Sequence, residues 1–199
     1  MATATAAILA VAACGGSSGV ASVEPHATVP TAPPTTADPY AVPATIDAAY
    51  VNKVLEGLDA AVGDIVRLVI ATRQISPEVI DRLNALYINH DDANLLLQGI
   101  QDVMRKNFVN IRSNPGNEKS TVTEMITSSR ACIFAKLSKD YSAVTSTGDA
   151  ATKVEWIGLK PSDSTKDPND VNPTPWMIAT EGLVLPGGTA PSNPCSGAS

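Results

Sequence analysis

The spacing of apolar residues along this chain switches from a helical to a strand period near Lys119. Upstream, Val51, Leu55, Leu58, Val62, Ile65 and Val69 recur at steps of 4 and 3, which puts them on one face of a helix. The spacing predicts a long helix over Thr45 to Ile75, with Asp59, Asp64, Arg67 and Arg73 off the apolar face. Ser76-Pro77-Glu78 restarts a helix. Serine caps it, proline suits its first turn and the glutamate meets the positive end of its dipole. Val79, Ile80, Leu83, Leu86 and Tyr87 form its buried side. Asn89-His90-Asp91-Asp92 interrupts the pattern and opens a third helix, with Asp91 as the expected cap. That helix runs through Leu96, Ile100 and Val103 to about Asn107. Asn114-Pro115-Gly116-Asn117 reads as a turn.

Downstream, the period is two. Thr121 to Ser129 is rich in β-branched residues. Arg130 to Ser138 alternates Ala131, Ile133, Ala135 and Leu137 with Cys132, Phe134 and Lys136. Tyr141 to Thr145 is expected to extend this strand past a bend. Lys153 to Lys160 sets Val154, Trp156 and Gly158 opposite Glu155, Ile157 and Leu159, and Pro175 to Leu183 is the last strand. Helices first and an antiparallel meander afterwards define an α+β domain.

Ahead of the first helix the pattern is of another kind. The apolar run Ala6 to Ala13 is far shorter than the roughly 20 residues a membrane span needs, and it suits the core of a cleaved signal. Val11-Ala12-Ala13-Cys14 resembles the bacterial lipobox, and Gly15-Gly16-Ser17-Ser18-Gly19 follows it. Met1 to Ala7 lacks the Lys or Arg usual at the start of a signal. Residues 1–13 are therefore expected to be a signal peptide and Cys14 the acylated residue. Acyl chains at that position anchor a protein without a spanning helix, so the expected location is the outer, extracytoplasmic face of the cell membrane. Residues 14–43 hold Pro25, Pro30, Pro33, Pro34, Pro39 and Pro43 among Ser, Thr and Ala, the composition of an extended tether. The Thr-rich run from Thr28 to Thr36 also fits O-glycosylation, although an unmodified spacer is the simpler reading. Residues 44–199 remain as one domain, large enough to bury a core.

A formal net charge of −6 argues against nucleic acid as a partner, because phosphate binding needs a basic patch. It also leaves the lipid, not charge, as the source of membrane attachment. With Cys14 acylated, Cys132 and Cys195 are left, an even pair suited to a disulfide in an oxidising compartment.

Candidate chemistry is sparse. His90-Asp91-Asp92 is the one run joining a general base to carboxylates, but adjacent residues diverge and a helix start explains them more cheaply. Asp163, Asp167, Asn169, Asp170 and Asn172 make an oxygen-rich loop without the spacing, glycine or terminal glutamate of a calcium-binding EF-hand. Asp-Pro and Asn-Pro turns account for it. Trp156 and Trp176 on neighbouring strands, with Tyr141, are candidates for lining a concave pocket, and core packing is the competing role. No Ser-His-Asp arrangement, phosphate loop or zinc spacing is assignable, so no catalytic residue, metal or cofactor is expected.

Four segments carry a resemblance: Ala131-Cys132-Ile133-Phe134, Lys139-Asp140-Tyr141-Ser142-Ala143-Val144, Trp156-Ile157-Gly158-Leu159 and Asn172-Pro173-Thr174-Pro175-Trp176-Met177-Ile178-Ala179. Together with the helices-then-meander order, they resemble secreted actinobacterial lipoproteins with an NTF2-like domain, over roughly residues 45 to 185. The resemblance implies a cone, with N-terminal helices packed on a curved antiparallel sheet. Such folds host binding proteins and enzymes alike. The expected function is a non-enzymatic, lipid-anchored module holding a small apolar ligand or docking an envelope protein. The alternative is an isomerase, dehydratase or hydrolase acting in the cone. Titratable groups paired inside the cone would favour the enzyme, and a closed cone a docking role.

Cys14→Ser should leave the chain unprocessed or released from the membrane. Detergent-phase partitioning and intact mass check this, and a mutant that still partitions with its acyl mass retained contradicts it.

Overall fold

A computed structural model describes residues 38, 40–146, 152–162, 171–183 and 191–196. They belong to one compact unit, Ala37–Ser199. Cys14, most of the expected tether, and Asp163, Asp167, Asn169 and Asp170 lie outside the described residues. Three helices come first: α1 (Ala48–Thr72), α2 (Pro77–Asn84) and α3 (His90–Arg105). Strands β1 (Lys119–Ser129), β2 (Cys132–Asp140), β3 (Lys153–Pro161) and β4 (Trp176–Leu183) follow. They form a four-stranded antiparallel sheet in the order β1-β2-β3-β4. The fold class is α+β.

Helix α1 begins at Asp47, whose carboxylate accepts from the Tyr50 N–H, and ends at Arg73 in the left-handed region at φ 53°. This turn stops the helix short of the expected Ile75. All six residues of the expected apolar stripe are buried. Asp59 is buried too, contrary to its expected exposure. The reason is the position of α1 along the edge of the sheet. Asp59 accepts from the N–H and hydroxyl of Ser120 at 2.7 and 2.9 Å, and Asn52 accepts from the Val122 N–H at 2.8 Å. Side chains of α1 thus satisfy edge-strand donors that would otherwise invite another strand. At the opposite edge, Ile88 donates to the Ile178 carbonyl and Ile178 to that of Leu86, at 2.9 and 2.8 Å.

Residues 40–43, expected as the end of the tether, are instead tied to the domain. Tyr50 donates to the Tyr40 carbonyl at 3.1 Å, and the Arg130 guanidinium donates to the Pro43 carbonyl. Gly57 makes room for Tyr40, since a Cβ there would meet the phenol oxygen at 2.8 Å. The cap of α3 is Asn89, not Asp91: its side chain accepts from the Asp91 N–H at 3.0 Å. Tyr141 to Thr145 does not prolong β2. The N–H groups of Val144 and Thr145 both close onto the Tyr141 carbonyl, making a turn.

The core lies between α1, α2 and one face of the sheet, where Ile133, Ala135, Leu137, Ile157 and Leu159 are buried. The other face carries a small separate cluster of Cys132, Phe134, Cys195 and Trp156. Phe134 and Trp156 stack with ring centroids 5.3 Å apart. Cys132 and Cys195 are disulfide-bonded, with Cα atoms 5.5 Å apart. The bond pins residues 191–196 across this face, and Pro194 lies over Gly158, where a Cβ would meet its Cγ at 2.4 Å. Among the described residues no helix is long and apolar enough to cross a membrane.

Cys195→Ser should destabilise the domain by on the order of 4 kcal/mol in the chain-entropy account of a bond with sequence separation 63. Denaturant unfolding of the mutant against the oxidised wild type measures this. An unchanged midpoint counts against a stabilising bond.

Candidate functional site

Expected pocket residues separate in the fold. Trp176 is buried in the main core, its indole N–H donating to the Tyr50 hydroxyl at 2.8 Å. Trp156 lies on the opposite face of the sheet, against Phe134 and under Lys136. The pairing of β3 with β4 explains the split. Trp156 faces Gly182 and Gly158 faces Thr180, but the register then shifts, so that Leu159 faces Ile178 and Pro161 faces Trp176. Ala179 is the extra residue, a bulge that reverses which side chains point inward. Without it, Trp176 would share a face with Gly182 and Trp156. With it, Trp176 enters the core on the same face as Glu181.

That inner face carries a charge cluster at one end of the sheet. Lys139 continues the inward row Ile133, Ala135, Leu137 of β2, and Glu155 continues that of Ile157 and Leu159 in β3. The Lys139 ammonium contacts Glu118 at 2.9 Å, Glu155 at 3.7 Å and Glu181 in a short ion pair. Tyr87 donates to Glu181 at 2.8 Å and Tyr141 donates to Glu155 at 2.7 Å. Asp59 stands nearby through its bonds to Ser120.

Environment sets the protonation of each group. Burial opposes charge on Lys139, but Glu181 and Glu118 outweigh it and hold the ammonium well above its ordinary value. Burial likewise works against the Glu181 carboxylate, yet Lys139 and the Tyr87 hydroxyl pull it below the usual range. Burial pushes the Tyr87 and Tyr141 phenols up. Glu118 is the exception. Burial, with Glu181 and Asp59 adding to it, pushes its carboxyl up to about 7 against the pull of Lys139. One ammonium does not offset three carboxylates, and Glu118 carries the remainder.

Two cavities adjoin here. A charged lobe of about 330 Å³ is lined by these groups together with Leu58, Asp92 and Leu95. An apolar lobe of about 400 Å³ lies between α1 and α3, against Val66, Val69, Ile100, Val103 and Phe108. Val62, Leu96, Glu118, Tyr141 and Lys153 border both. Helix α3 fully buries Ala93 and Ile100, and its Leu96, Gly99 and Val103 border the apolar lobe.

Tyr141 therefore lines the cavity, while Trp156 and Trp176 do not. His90, Asp91 and Asp92 do not converge. The His90 imidazole lies 3.0 Å from the Asn84 side chain, Asp91 is exposed, and Asp92 alone reaches the cavity. Burial and the adjacent Asp91 raise its carboxyl. Asn172, the described member of the oxygen-rich loop, is a turn residue. It donates to the Trp176 carbonyl at 2.7 Å and accepts from Thr174. Among the described residues no group of His, Cys, Asp and Glu is arranged to hold a metal ion. Comparison with protein-family models, with curated proteins and with solved structures finds no match.

An acid whose folded value is raised binds its proton more tightly in the native state. Glu118 therefore favours the fold below pH 4.5, and this contribution is lost as pH rises through about 7. Glu118→Gln should flatten the fall in stability across that window, by up to about 1.4 kcal/mol per pH unit. Urea unfolding of both proteins as a function of pH provides the check, and parallel curves would remove Glu118 as the titrating group.

Proposed function

We propose that this chain is a lipid-anchored, extracytoplasmic binding module with an NTF2-like cone, which holds a small apolar ligand beneath α3 without catalysis. The observation that carries the reading is the apolar lobe. An apolar helix stripe normally buries itself against side chains, but here Leu96, Gly99, Ile100 and Val103 border a chamber of about 400 Å³. That volume falls in the range of small-molecule sites, roughly 300 to 1,000 Å³. The order of helices before an antiparallel meander, and a cavity between the helices and the sheet, support the cone and the kinship with secreted actinobacterial lipoproteins. Lipid anchoring rests on the sequence around Cys14, and the Cys132–Cys195 bond suits an oxidising compartment outside the cytoplasm.

Glu118 favours a second reading, an enzyme that transfers protons in the cone. Its carboxyl, at about 7, is poised for general acid–base work, and it faces the cavity beside other titratable groups. Binding ranks first because its neighbours are committed. Lys139, held protonated, is neither nucleophile nor base. Among the described residues every buried side-chain nitrogen and oxygen has a hydrogen-bond partner.

Gly99 offers a clean test, because it borders the chamber and a Cβ there meets nothing within 4 Å. Gly99→Leu should fill the chamber and keep or raise stability, since glycine costs a helix up to about 1 kcal/mol. Affinity for the neutral fluorophore N-phenyl-1-naphthylamine should fall at least about tenfold, on the order of 1.4 kcal/mol. Equal fluorescence titrations for the two proteins would contradict the proposal.

A further inference from the structure

We infer that the ligand of this cavity is an amphiphile with an ammonium-type head, its apolar part beneath α3 and its head at the junction of the two lobes, between Glu118 and Tyr141. The inference rests on the binding reading and names the class of ligand.

The charged lobe has an excess of acidic groups. Asp59, Asp92, Glu118, Glu155 and Glu181 line it against Lys139 and Lys153, five carboxyl groups facing two ammonium groups, a formal charge of −3 when all are ionised. An anionic head is repelled there, a neutral head leaves the excess standing, and a cation offsets it. Lys139 does not do so alone, because its single charge is already divided among Glu118, Glu155 and Glu181.

Lys153 points to the same head group on separate grounds. This residue is exposed, at the start of β3, and has solvent open to it. Its ammonium nevertheless lies 5.2 Å from the Tyr141 ring centroid, at the junction. Lys139 approaches the same ring at 5.9 Å. An aromatic face backed by carboxylates attracts cations, and the exposed Lys153 ammonium already occupies the position a ligand ammonium would take by displacing it. Val62 and Leu96 border both lobes, so an apolar chain attached to that ammonium leads along them beneath α3.

Protonation gives the preference a direction. The charged and titratable groups that share this lining with Glu118 are Asp59 on α1, Tyr87 after α2, Asp92 on α3, Lys139 on β2, Tyr141 after it, Lys153 and Glu155 on β3 and Glu181 on β4, and its own carboxyl sits at about 7. Above that value its carboxylate is present and the pull on a cation is greatest.

The test uses the whole protein and three probes of one chain length, decylammonium, decanol and decanoate, by titration calorimetry below their aggregation limits. At about pH 8 decylammonium should bind about tenfold tighter than decanol, the worth of one charge-assisted contact, and decanoate weakest. At about pH 6 that advantage should shrink in the wild type, a comparison that needs no variant. Glu118→Gln should shrink the ratio of decylammonium to decanol affinity at about pH 8 towards its value at about pH 6 and remove the pH dependence of that ratio. Decanoate binding tightest, or ammonium and alcohol binding equally at both pH values, overturns the head-group assignment while the binding site stands. Failure of all three to bind overturns the binding reading and this inference with it.

Discussion

One buried positive charge organises this domain. The Lys139 side chain keeps only 7% of its accessible surface, and an ammonium so placed without partners would cost several kcal/mol. Its partners come from three places in the chain: Glu118 just ahead of β1, Glu155 in β3 and Glu181 in β4. The requirement fixes register as well as proximity. Side chains alternate along a strand, so a slip of one residue in β2 would send Lys139 to the outer face and leave three carboxylates facing one another. The meander is thus locked at one end by charge and along its length by the apolar row from Ile133 to Leu137.

Sealing of the sheet edges leaves the helices with unequal roles. Helix α1 supplies both core side chains and acceptors for the edge of β1, and the segment after α2 supplies hydrogen bonds to β4. Helix α3 adds Ala93 and Ile100 to the core. Between these contacts, its Leu96, Gly99 and Val103 border the apolar lobe. The helix that borders the apolar lobe is thus also held by core contacts at Ala93 and Ile100.

Much of this was legible in the sequence, and the failures have specific physical causes. The stripe from Val51 to Val69 marked α1, Ser76-Pro77 marked the start of α2, and alternation marked the two faces of β2 and β3. The charge cluster left a signal: Lys139 and Glu155 sit in core register, on the apolar side of period-two strands, where a charge has no place unless it is paired. Glu181 and Trp176 were not readable, because a bulge at Ala179 reverses the alternation and no residue type announces it. Asp59 was misplaced for a related reason. Helical periodicity reports an apolar face, whereas the side of α1 facing the edge of β1 needs acceptors, and an acceptor looks like a solvent-facing residue.

The outer strap has a mechanical consequence. Cys132 and Cys195 close a covalent loop that contains nearly all of β2 and the whole of β3 and β4, while α1, α2, α3 and β1 precede it. Tension applied at the two ends of the chain can therefore draw out the helices and peel β1 from β2, but it bypasses the loop, which does not lengthen while the bond lasts. The extension of a single molecule under load would stop short by the contour of that loop. The two inner strand pairs, β2 with β3 and β3 with β4, would stay joined inside it after the helical half had been pulled straight.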